Sequence, residues 1–200
     1  MSLFKTSDIK PVAIPQVKQP AGVKRRAGKT MHLIGKSIPQ LRGVIGELEQ
    51  GTSIHFVTHG RWSMHELLGY ILFQIGPARV SFSTWTVTEE PIRAIVGLVK
   101  EGLITELNCL FDYRIKDRKP EAFQLLQNHV TRLKLGKCHA KVLVAINDRW
   151  GVTVIGSANF SKNPRIEAGV IATDLASAQF HEKWILDEID DKNPLRDEVV

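Results

Sequence analysis

Three features of the 200-residue sequence predict an α/β fold, a mixed sheet flanked by helices on both faces. Runs rich in Val, Ile, Thr, Phe and Trp alternate with segments whose apolar residues fall at helical spacing. The longest helical segments open and close on capping and breaking signals. Asn147-Asp148 reads as a tight turn between two apolar runs, which makes those two strands antiparallel neighbours. Strands alternating with helices put helices over a sheet, and a hairpin within it makes the sheet mixed.

Residues 1–30 carry Pro11, Pro15 and Pro20 and few periodic apolar positions, so they read as an extended basic arm. Ile38, Leu41, Val44, Ile45 and Leu48 predict a helix over 38–50, ended by Gly51-Thr52. A strand is expected over 54–58. The helix over 64–75 has Ser63 as N-cap with Glu66 in capping-box register, and stops at Gly76-Pro77. A strand over 80–87 precedes a helix over 89–100, capped by Thr88 with Pro91 in its first turn. Then come a strand over 106–113, a short helix over 120–128 and a short strand over 133–135. Three strands follow, over 139–146, 152–155 and 168–172, and an amphipathic helix over 175–189 closes the domain. The domain is expected to span 31–190, with 191–200 as a tail. No internal repeat is present.

Hydrophobic residues make up 43% of the chain, as in ordinary globular domains. No apolar run reaches membrane-spanning length, which argues against a membrane partner. Lys5, Asp8 and Lys10 interrupt residues 1–10, so no apolar signal core is present and a cytoplasmic location is expected. Cys109 and Cys138 lie in apolar runs and read as buried free thiols. The net charge is +6 and the pI about 9.4. The excess is uneven: nine Lys or Arg stand against one Asp in residues 1–45, whereas Asp187, Glu188, Asp190, Asp191, Asp197 and Glu198 crowd the other end. A basic balance favours an anionic polymer, and Lys24, Arg25 and Arg26, with Lys29, form a patch suited to phosphates of a nucleic acid.

The chemistry-bearing residues fall late in the chain. His139-Ala140-Lys141 places a histidine and a lysine at i and i+2, on one side of a strand. Gly156-Ser157-Ala158-Asn159 follows, and then Glu167. The set supplies a nucleophile, a fixed positive charge, a neutral donor and an orienting carboxylate, the parts that phosphodiester chemistry requires without a metal.

At these positions the chain resembles the phospholipase D superfamily, whose signature is HxK, a downstream GSxN and a glutamate. The resemblance runs from about residue 52 to 187 and implies a phospholipase D-like catalytic domain. In the mechanism it implies, His139 attacks phosphorus and forms a phosphohistidine. Lys141 and Asn159 stabilise the phosphoryl oxygens, Glu167 holds the imidazole, and Ser157 hydrogen-bonds near the phosphate or the glutamate. A second histidine must protonate the leaving oxygen. The chain has one copy of the motif, so the resemblance implies a homodimer with both His139 side chains at a shared site. Neither a metal nor a cofactor is implied. The aspartate that commonly follows the lysine by five residues is replaced by Ile146, as in some nuclease branches of the superfamily, which moves the reading from lipases towards nucleases. Ser83 and Trp85 fall where the family lines its pocket, and Lys162 and Arg165 could hold flanking phosphates. His55, His59 and His65 lie close in sequence but read as structural rather than as a metal site.

The expected activity is therefore a metal-independent phosphodiesterase or nuclease acting on DNA or RNA. The alternatives are a phospholipase D-type lipid hydrolase and a catalytically inactive nucleic-acid-binding protein.

Overall fold

The computed structural model describes residues 41–161 and 164–192, together with the backbone of 21–26 and 29–34. In chain order its elements are β1 (Ala21–Arg26), β2 (Lys29–Ile34), α1 (Leu41–Val44), β3 (Ser53–Val57), α2 (Met64–Ile75), β4 (Ala78–Thr84), α3 (Glu89–Lys100), β5 (Ile104–Asp112), α4 (Ile115–Arg118), α5 (Pro120–Gln127), β6 (Arg132–Gly136), β7 (Val142–Ile146), β8 (Gly151–Gly156), β9 (Ala168–Ala172) and α6 (Leu175–Asp190). The strands form one sheet in the order β2-β1-β3-β9-β8-β7-β4-β5-β6. β4–β5 and β5–β6 pair in parallel. The other neighbours are antiparallel, so the sheet is mixed.

Helices cover both faces. On one side Leu67, Leu68, Ile71 and Leu72 of α2 and Ile92 and Ile95 of α3 pack with Val80, Phe82, Leu143 and Val154 of the sheet, all buried. On the other, Ala178 and Ile185 of α6 meet Val142, Val144 and Ile146 of β7. This alternation along β7, every residue of which is buried, is what a strand with two covered faces requires. Beneath α6, Glu182 receives a bidentate ion pair from Arg79 (2.7 and 2.8 Å).

Ser63 and Thr88 stand at the N-caps expected of them, Thr88 without a side-chain capping hydrogen bond. Ser63 N–H donates to Glu66 (2.8 Å) at the start of α2, and the bounds of α2 and α3 match the sequence reading. Asn147 closes the β7–β8 turn: its side-chain oxygen accepts from the N–H groups of Arg149 (3.0 Å) and Trp150 (2.9 Å).

Several expected elements differ. The helix expected over 38–50 ends at Val44 rather than Gln50, and its residues 38–40 lie outside the described residues. Tertiary partners take the groups a longer helix would use: Tyr70 donates to the Gly46 carbonyl (2.9 Å), and Leu48 N–H donates to Gln74 (2.8 Å). The strand over 80–87 ends at Thr84, and the strand over 139–146 begins at Val142. These shifts share one cause. The β4–β7 ladder stops at Ser83↔Val142, because Trp85 N–H turns away to Asn159 (3.2 Å). Part of the segment read as an arm is built into the sheet, since β1 pairs with both β2 and β3. Residues 1–20 lie outside the described residues. The short α4 was not expected.

Candidate active site

The ladders bring one set of strand ends to a single edge of the sheet. β3, β4, β5 and β8 finish there, while β7 and β9 begin there. The loops leaving this edge carry His139, Lys141, Ser157, Asn159 and Glu167. His139 and Lys141 occupy the link between β6 and β7 rather than a strand, as the early end of the β4 ladder dictates.

Lys141 is fixed by its backbone, whose carbonyl accepts from Gly156 N–H (3.2 Å). Its ammonium donates to the His139 carbonyl (2.6 Å) and lies 3.4 Å from His139 Nδ1. Burial pushes the Lys141 pKa down, against an opposing pull from Cys138, Glu167 and Asp112. A cation stripped of part of its water is a ready partner for an anion.

Gly156 faces Gly169 across β8–β9. A Cβ on Gly156 would stand 2.9 Å from the Ala168 carbonyl oxygen, so the close approach there excludes a side chain. The same crossing ties Ser157 to the start of β9. Ser157 N–H donates to the Ala168 carbonyl (3.0 Å), and Ala168 N–H donates to Ser157 Oγ (3.1 Å). Ser157 Oγ in turn donates to Glu167 Oε2. Glu167 is held by its backbone: Thr58 N–H donates to its carbonyl (2.7 Å), and its N–H donates to Thr58 Oγ1 (3.2 Å). The carboxylate expected on His139 is thus engaged by Ser157, because the β8–β9 crossing sets these two residues side by side.

Asn159 is oriented through its amide oxygen, which accepts from Thr84 Oγ1 (3.1 Å) and Trp85 N–H (3.2 Å). With the oxygen held, the NH2 group is the end left to act as a donor. The next residue anchors the loop. Phe160 is 1% exposed, packs on Phe82 at 4.2 Å between ring centroids, and accepts at its carbonyl from Thr88 N–H (3.0 Å).

Trp85, half-buried, stands 5.6 Å from the His139 ring and so lines the site. Ser83 does not: it is fully buried within the ladder between β5 and β7, which removes its hydroxyl from a substrate's reach. Arg165 is exposed in the β8–β9 loop, while Lys162 lies outside the described residues. Lys24, Arg25 and Arg26 occupy the end of β1 opposite Ser53 and Ile54, at the far edge of the sheet from His139. Folding therefore separates them from the site.

The three clustered histidines diverge. His55 is exposed on β3, and His65 is buried in α2 with its Nδ1 on Ser63 Oγ (2.8 Å). Among the described residues no group of three or more His, Cys, Asp or Glu could hold a metal ion. Nor is any described helix long and apolar enough to cross a membrane. Cys109 and Cys138 are buried and free, and burial pushes both thiols up.

Four nearby residues escaped the sequence reading. Thr84 orients Asn159. Asp112, at the end of β5, accepts from Arg114 (2.6 and 3.0 Å), and Arg114 and Arg118 both lie over the Trp85 ring. Burial alone would raise the Asp112 pKa, but the Arg114 bonds outweigh it and hold the carboxyl below its usual value. The four-residue spacing of Arg114 and Arg118 was the available signal, since it sets two side chains on one side of a helical turn.

No family model matches the sequence, and no curated protein matches it. Among solved structures the fold is similar to the crystal structure of Nuc from Salmonella typhimurium, a phospholipase D family member. The identity is 18% and the TM-score 0.49, over 60% of this chain and 84% of Nuc. It is also similar to polyphosphate kinase from Porphyromonas gingivalis, at 13% identity and a TM-score of 0.49. That match covers 74% of this chain and 27% of the kinase.

Proposed function

We propose that the protein is a metal-independent phosphodiesterase that cleaves DNA or RNA through a phosphohistidine intermediate at a site shared by two subunits. The observation that supports this is the convergence of His139, Lys141, Asn159, Ser157 and Glu167, from three separate segments, on one edge of the sheet.

The first step forms a bond between a ring nitrogen of His139 and phosphorus, and breaks the bond to the leaving oxygen. The partner subunit's His139, as imidazolium, gives that oxygen its proton. Water then attacks the phosphohistidine, the P–N bond breaks, and the partner's imidazole takes the water's proton. Lys141 and the Asn159 amide carry the charge on the non-bridging oxygens. Before substrate binds, the Lys141 ammonium sits nearest Nδ1 of His139. An incoming phosphate draws it to its own oxygens, and the His139 ring nitrogen that carries no proton attacks phosphorus. The single motif copy is the reason for the dimer.

The test is cleavage of labelled DNA and RNA by the purified protein with and without EDTA. Activity should survive chelation, and His139→Ala should abolish turnover while binding remains. Activity lost to EDTA and restored by magnesium would overturn the mechanism. So would sedimentation of a fully active monomer.

A further inference from the structure

Resting on that reading, we infer that Arg118, held against Trp85, binds the phosphate next to the one attacked, so that the preferred substrate is a polynucleotide strand rather than an isolated phosphodiester. Trp85 directly follows β4, and α4 follows β5 at the same sheet edge. The Trp85 ring lies 5.6 Å from that of His139, and the Arg118 guanidinium lies 5.4 Å from the same indole centroid. One side chain, Trp85, therefore stands between the nucleophile and a cation.

The two arginines over Trp85 differ in what they can offer. Arg114 is already bonded by both Asp112 oxygens, so its charge is largely answered. Arg118 is exposed, and among the described residues it makes no ion pair. Its guanidinium has a flat fork of N–H donors that suits phosphate oxygens. Resting it on an aromatic face limits the rotamer freedom that binding must remove. Lys116 and Lys119, both exposed, add positive charge on the same short turn, against one acid, Asp117. The α4 turn is thus a cationic wall beside the site, following β5, whereas Arg165 lies in the loop between β8 and β9.

Two measurements test the assignment. The first compares kcat/KM of wild type and Arg118→Ala on a short single-stranded oligonucleotide and on bis(p-nitrophenyl) phosphate, which has one phosphodiester. The variant should lose about tenfold more on the oligonucleotide than on the small diester, mainly through KM. Lys100→Ala, which removes a charge at the opposite sheet edge, should show no such difference. The second measures binding of a fluorescent oligonucleotide across a salt series, with His139→Ala as the parent and Arg118→Ala added to it. Affinity should fall, and the salt slope should drop by about one phosphate contact. Equal losses on both substrates would show that Arg118 acts through Trp85 on His139, and would overturn the inference. Unchanged binding and slope would overturn it as well. If wild type cleaves neither substrate, the phosphodiesterase reading fails, and the binding pair still decides whether Arg118 meets a phosphate.

Discussion

Asn159 can serve a phosphate only if its amide is turned the right way, and Thr84 does much of the turning. Thr84→Val keeps the volume and removes the donor, leaving Trp85 N–H alone to hold the amide oxygen. Turnover should fall about tenfold or more with little change in melting temperature, and Thr84→Ser should restore most of it, as loss of an orienting partner generally does. Asp112 gives a pH-dependent counterpart. Its folded pKa is held below the unfolded one, net of burial, by Arg114. Its stabilising contribution is therefore present above the unfolded value of about 4 and disappears as pH falls through the lowered folded value. Asp112→Asn should lower the urea midpoint at neutral pH, and its deficit should close on acidification. A deficit independent of pH would contradict this account.

Strand ends were harder to read than helices. Helices α2 and α3 carry their own boundary signals in Ser63, Gly76, Thr88 and Pro91, so their bounds were legible in the sequence. The limits of β4 and β7 were not, because they depend on where a ladder loses its partner, and that is set by the Trp85–Asn159 hydrogen bond 74 residues apart in sequence. The same holds for the end of α1, since beyond Val44 the Gly46 carbonyl and the Leu48 N–H are claimed by Tyr70 and Gln74 of α2. Between elements, the strongest polar link under α6 is Arg79–Glu182. Glu182→Ala would leave a partly buried guanidinium without its carboxylate. Arg79 is 36% exposed, so the cost should be about 1–3 kcal/mol by urea denaturation, less than the roughly 3–5 kcal/mol of a fully buried pair. Phe160→Ala should cost roughly 3–5 kcal/mol, because the ring fills the space between Phe82 and the loop that carries Asn159.

Over the whole molecule, the identity of the motif residues was legible, and so was the order in which they arrive. Their longer-range contacts were not. The bond from Ser157 to Glu167 follows from the β8–β9 crossing rather than from spacing along the chain, whereas Lys141 lies beside a histidine ring only two residues away. The basic patch at Lys24, Arg25 and Arg26, read as suited to phosphates, is carried by the antiparallel pairing of β1 with β3 to the end of the sheet away from His139. The edge opposite His139 holds the turns that only return the chain, among them Asn147–Trp150 between β7 and β8. Five strand residues, roughly 17 Å of β7, separate that turn from Lys141. Asp148 and Arg149 are exposed there, and the turn is pinned by Asn147, whose amide donates to Ile75 and Pro77 carbonyls (2.9 and 3.1 Å). A peptide tag or a small folded reporter spliced between Asp148 and Arg149 should therefore be tolerated with turnover unchanged, as cleavage assays on the tagged protein would reveal. The same insertion between Pro164 and Arg165, beside Glu167, should silence it. The molecule thus offers a handle for immobilisation or labelling on the side where nothing reacts.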